Sequence, residues 1–105
     1  YTMSFTGANP SGIVFDPSGT KMFISDQGTD TIREYALNVP YITSSNSTGD
    51  ANTPSLSITA VGDSVRDFWF DASGTKLFIL EQGARDITVY KLTVPFLLSS
   101  ATIVS

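Results

Sequence analysis

At 105 residues, with 41% apolar and only 15% charged side chains, the chain has the composition of one small globular domain rather than of a disordered segment. It contains neither cysteine nor histidine, which excludes disulfide staples and thiolate metal sites and removes the commonest general base. Six basic residues are scattered against ten acidic ones for a net charge of −4, so no basic stripe exists, and neither a nucleic acid nor a membrane is expected as a partner.

The predicted elements are all strands. Tyr1–Phe5 alternates polar and apolar residues. Gly12–Asp16 is a short apolar strand ending in Asp16-Pro17-Ser18-Gly19. That tetrapeptide matches a type I turn, with a hydrogen-bonding side chain first, a preset φ second and a permissive residue fourth. Lys21–Ser25 is an apolar strand, and Gln27-Gly28 marks the next reversal. Thr31–Leu37 follows, with Pro40 beyond its end, where a missing N–H does little harm. After a polar stretch near Asn46–Thr53, Ser55–Ala60 alternates again. The same order then returns: strand Asp67–Asp71, turn Asp71-Ala72-Ser73-Gly74, strand Lys76–Leu80, reversal Gln82-Gly83, strand Asp86–Leu92 and Pro95. No segment sustains a helical period.

The return is a duplication. Residues 11–45 align with 66–100 without a gap, and 17 of the 35 pairs are identical. The offset is 55 residues, as from Asp16 to Asp71, and Tyr1–Phe5 aligns with Leu56–Ala60 at the same offset. A four-stranded antiparallel unit of about 50 residues has the size of a β-propeller blade. Strands apolar on both sides, such as Met22-Phe23-Ile24 and Phe78-Ile79-Leu80, suit a sheet covered on both faces.

The expected architecture is therefore all-β: a propeller with two four-stranded antiparallel blades per chain, in a ring closed by homo-oligomerisation. Residues 1–5 are expected to form an outer strand donated to a neighbouring protomer's blade. Residues 11–60 form blade one, and 66–105 form blade two, lacking its outer strand. Tyr1, Met3, Phe5 and Ile103 are the residues expected at that closure. Joining Ser105 to the Tyr1 of another copy makes the Asp-to-Asp spacing alternate between 55 and 50, with a loop insertion near Asn46–Thr53. Identical head-to-tail contacts close into a ring when the rotation per subunit allows. Three copies giving six blades is the first expectation, and four giving eight the second.

The stretches GIVFDPSGTKMFISDQGTDTIREYALNVPYITSS and FWFDASGTKLFILEQGARDITVYKLTVPFLLSSA resemble a propeller repeat of bacterial and phage proteins. That repeat runs from an apolar strand through a Pro-Asp-Gly-Thr-Lys turn to a Leu-x-x-Pro-Trp end. This chain has Ser18 and Ser73 where Asp is usual, and Tyr41 and Phe96 where Trp is usual. Lactonase-type and NHL-type propellers are similar at lower resolution. The resemblance implies the fold and little about activity, since propellers host enzymes, lectins and scaffolds.

Candidate chemistry is sparse. Asp16 and Asp71 read as turn-holding carboxylates. Asp26, Asp30, Glu81 and Asp86 read as loop charge, since no Asp-x-Asp-x-Asp-Gly type loop is present, and no metal or cofactor is expected. Arg66, Asp67 and Trp69 break the repeat, replacing Ser11, Gly12 and Val14. They are the best candidates for binding a small polar or anionic ligand near the axis of a ring. The competing reading pairs Arg66 and Asp67 with neighbours and packs Trp69 between blades. Tyr35, Tyr90, Tyr41 and Phe96 read as packing; a carbohydrate ligand held lectin-like between blades is the alternative. No histidine exists to activate a serine, and neither Gly-x-Ser-x-Gly nor Ser-x-x-Lys occurs. A non-enzymatic binding or scaffold module is thus expected. A metal-dependent, lactonase-like hydrolase is the weaker alternative, with Asp67 its one candidate carboxylate.

Overall fold

In a computed structural model of the chain, residues 9–46, 55–58, 65–81 and 85–104 are described. They form two antiparallel sheets of four strands, each a simple meander. The first runs β1 (Pro10–Phe15), β2 (Lys21–Asp26), β3 (Thr31–Ala36) and β4 (Ser55–Ser57). The second runs β5 (Val65–Phe70), β6 (Lys76–Glu81), β7 (Asp86–Leu92) and β8 (Ala101–Ile103).

The duplication extends to backbone detail. Both inner strands carry a register irregularity at their start, between Pro10 and Gly12 in one and Val65 and Asp67 in the other. Every positive φ among the described residues has its counterpart 55 residues away: Gly19 with Gly74, Asp30 with Arg85, and Tyr41 with Phe96.

The first turn of each sheet shows why its residues recur. The Gly19 N–H donates to the Asp16 carbonyl at 3.0 Å, and the Lys21 N–H donates to Asp16 Oδ1 at 3.0 Å. In the second sheet the Thr75 and Lys76 N–H groups share Asp71 Oδ1, while Ser73 Oγ donates to Oδ2. Gly19 and Gly74 both sit at φ +73, and an aromatic ring lies against each. The Tyr41 N–H donates to the Gly19 carbonyl and the Phe96 N–H to that of Gly74, which pins the ring over its glycine.

Blade two was expected to lack an outer strand; the structure corrects this. β8 pairs with β7 over Tyr90↔Ile103, Lys91↔Thr102 and Leu92↔Ala101. In the first sheet the equivalent rung is the bridge Leu37↔Asn46, after which pairing resumes at Thr31↔Ser57, Ile32↔Leu56 and Arg33↔Ser55. Among the described residues the outer side of β3 is thus paired at two places, and β8 matches the first of them along β7. Ile103, expected at the closure, lies in β8 and is half exposed. Tyr1, Met3 and Phe5 lie outside the described residues.

The two sheets pack face to face. Phe23, Ile32 and Ile58 of the first, all fully buried, interlock with Val65, Phe68, Leu77, Ile79, Tyr90, Leu92 and Leu98 of the second. Gly12 allows the close approach: a Cβ there would stand 3.1 Å from Ser25 Oγ and 3.3 Å from Asp67 Oδ1. Burial of this apolar surface is the main stabilising term. A second buried cluster, Met22, Ile24, Tyr35 and Leu37, lies on the opposite side of the first sheet.

Candidate functional site

Three polar ties fasten the joint between the sheets. Lys21 Nζ donates to the Phe96 carbonyl at 2.9 Å and pairs with Glu34 Oε2 at 3.3 Å. The other oxygen of Glu34 accepts the Leu98 N–H at 2.9 Å, a buried bond. Gln27 Nε2 donates to the Val65 carbonyl at 2.9 Å. The sequence signalled none of these contacts, because each joins residues from different repeats. The repeat did carry one hint: Lys21 and Lys76 are identical at the head of an otherwise apolar strand.

The joint uses one face of each sheet, and each sheet has a second face. The first sheet turns Val14, Phe23, Ile32 and Glu34 into the joint. At the same positions the second sheet has Trp69, Phe78, Ile87 and Val89, and these face outward. Phe23 and Ile32 are 0% exposed, whereas Ile87 is 53% exposed and Trp69 40%. Leu80 is also exposed, where its counterpart Ser25 is fully buried. A cavity of about 460 Å³ on this face is lined by Thr75, Lys76, Phe78, Val89, Lys91 and Val104.

The first sheet shows the complementary inversion along its inner edge. Ile13 is 57% exposed, and its counterpart Phe68, buried in the joint, is 1% exposed. Tyr41 and Ile42 are exposed where Phe96 and Leu97 are half-buried. The exposed positions thus match places filled in the joint within the chain, while Met22, Ile24, Tyr35 and Leu37 between them are buried. The polar tie of Lys21 is available there too: Lys76 is the counterpart of Lys21, and the Tyr41 carbonyl that of Phe96.

The three residues that break the repeat go to different places. Arg66 is exposed at the β5 irregularity and lines a polar cavity of about 310 Å³ with Asn9, Pro10, Ser11 and Gln27. Asp67 Oδ1 accepts the Phe68 N–H at 2.8 Å. Trp69 stacks on Phe78, with ring centroids 5.5 Å apart and planes 14° from parallel. Trp69 also reaches a rim cavity of about 330 Å³, with Tyr41, Phe70 and Phe96 beside Asp16 and Asp71.

The carboxylates have local duties. Asp16 and Asp71 hold their turns. Desolvation pushes the Asp71 carboxyl upward, but hydrogen bonds from Lys76, Ser73, Thr75 and Gly74 together outweigh it and hold the group below the usual carboxylate range. Asp26 is buried and accepts the Asn9 and Gly28 N–H groups. Asp86 is exposed, and Glu81 is buried at the end of β6. Among the described residues no three acidic side chains converge on one point. No protein-family model, curated protein or solved structure matches the chain.

Proposed function

We propose that this chain is a self-assembling propeller building block: two blades that close into a ring with copies of themselves and serve as a non-enzymatic scaffold. One observation carries the reading. Several positions sealed in the joint reappear exposed on the outward surfaces, although Met22, Ile24, Tyr35 and Leu37 on the first sheet's outward face are themselves buried. Ile13 stands where Phe68 is buried, and Ile87 stands where Ile32 is buried. An apolar surface of this kind is what an interface leaves when its partner is absent. The pairing is heterologous, the back of one chain meeting the front of the next, so it forms a ring when the rotation per copy closes. Two blades per chain give even rings, six blades from three copies or eight from four. The repeated turn chemistry and the lack of histidine favour a structural module over a catalyst.

Sedimentation equilibrium tests this directly. The expected result is a single species of three or four chain masses. Ile13→Glu is expected to shift it to one chain mass with an unchanged circular dichroism spectrum, since Ile13 is exposed within the single chain and charge there disturbs only the contact between copies. A parent protein that runs as one chain mass at high concentration would remove the reading.

A further inference from the structure

Among the described residues the outer strand of the second sheet stops short of Asp86–Thr88, and we infer that a strand from a second copy, its residues Tyr1–Phe5, completes it there. The inference rests on the self-assembly proposed above and specifies where the chains join.

The first sheet supplies the template. Its outer strand pairs Arg33↔Ser55, Ile32↔Leu56 and Thr31↔Ser57, and the Ile58 N–H then donates to the Asp30 carbonyl at 2.9 Å. Under that cover Ile32 and Ile58 are both 0% exposed. In the second sheet the corresponding residues are Thr88, Ile87, Asp86 and Arg85, and β8 does not reach them. Its ladder ends at Ile103, and its last bond is from the Val104 N–H to the Val89 carbonyl at 2.9 Å. Ile87, beside this stretch, faces outward and is 53% exposed. A strand edge with no partner strand among the described residues, beside an exposed isoleucine, is a template for another strand.

The repeat names the occupant and its register. The 55-residue offset between the repeats maps Leu56 onto Tyr1, Ser57 onto Thr2 and Ile58 onto Met3. Carried to the second sheet, this sets Tyr1 opposite Ile87 and Thr2 opposite Asp86. The hydrogen-bonding phase also agrees. Val104 and Ile58 both donate inward, so Tyr1 falls on a hydrogen-bonded rung, as Leu56 does, and Thr2 on a non-bonded one, as Ser57 does. Met3 then takes the place of Ile58, which is fully buried in the joint. The connection fits as well: six residues lie between Ile58 and Val65 at the start of β5, and six between Met3 and Pro10 at the start of β1.

Because the chain has no cysteine, the rung can be trapped without background. Non-bonded antiparallel rungs bring Cα atoms to about 4.5 Å, within disulfide reach. Two separate proteins, Thr2→Cys and Asp86→Cys, are mixed under refolding conditions, oxidised and run on a non-reducing denaturing gel. The expected result is a two-chain band that forms only when both variants are present. Its yield should be at least about tenfold above that from Thr2→Cys mixed with Lys91→Cys, whose rung β8 already occupies. A native mass of three or four chains without that cross-link would overturn the strand donation and leave self-assembly standing. A native mass of one chain would overturn both. As a second measurement, deletion of residues 1–5 is expected to convert the assembly to single chains; an assembly of unchanged mass refutes the donation.

Discussion

Alanine at Gly74 should cost far more than alanine at Gly19, although the two glycines have the same backbone angles. Both sit at φ +73, where a side chain costs roughly 1–2 kcal/mol. At both, an added Cβ would lie 2.3 Å from a ring carbon, so the ring must move. The rings differ in freedom. Tyr41 is 57% exposed and touches Phe15 at a centroid distance of 5.1 Å, so it can swing into solvent. Phe96 is half-buried against Phe70 at 5.1 Å, and Phe70 lies 4.6 Å from Phe23 in the core. Moving Phe96 therefore disturbs the joint, which adds a further ~1–3 kcal/mol of overpacking. The expected losses are roughly 1–2 kcal/mol for Gly19→Ala and roughly 2–5 kcal/mol for Gly74→Ala. The measurement is urea unfolding followed by fluorescence of Trp69, the single tryptophan, in the Ile13→Glu background proposed above to run as single chains. Equal losses at the two positions, or a neutral Gly74→Ala, would refute the argument that ring confinement sets the difference.

Two further expectations concern charge. Lys21→Met strands Glu34, whose side chain is 9% exposed, and should lower stability by about 1–3 kcal/mol in urea titration. In dilute single chains Lys76→Met should change it by less than about 0.5 kcal/mol, because Lys76 is exposed there. Asp71 has its folded pKa held below the unfolded value, so its contribution is present above about pH 4 and fades as pH falls through the lower folded pKa. Asp71→Asn should therefore flatten the acid limb of a pH–stability profile; an unchanged limb would show that the turn bonds do not favour the ionised form.

Much of this architecture was legible because duplication prints each structural need twice. The Asp-x-Ser-Gly turns, the paired aromatics at 41 and 96, and the strands beside them recur in sequence and in backbone angle alike. β8 was missed for a physical reason. Three residues are too few to display alternation, and the sequence of the first repeat carries a loop insertion near Asn46–Thr53, so the alignment offered no template. The cross-sheet ties of Lys21, Glu34 and Gln27 were illegible because they depend on which faces meet. Arg66, Asp67 and Trp69 were visible as departures from the repeat. Their separation was not, since alternation along β5 sends Phe68 and Trp69 to opposite faces and the irregularity at its start leaves Arg66 exposed.

The Lys21–Glu34–Leu98 tie has no full equivalent on the outward side, where Val89 stands in place of Glu34. A ring of such chains would alternate two kinds of seam, one inside a polypeptide and fastened by both Lys21 and Glu34, the other between polypeptides and left with only the lysine half of that tie. The first closes at a rate independent of concentration, and the second only after two molecules meet. Dilution or mild denaturant should then open every other seam first, releasing paired blades rather than single ones, and the smallest unit the assembly exchanges with its surroundings would be the whole chain, still folded.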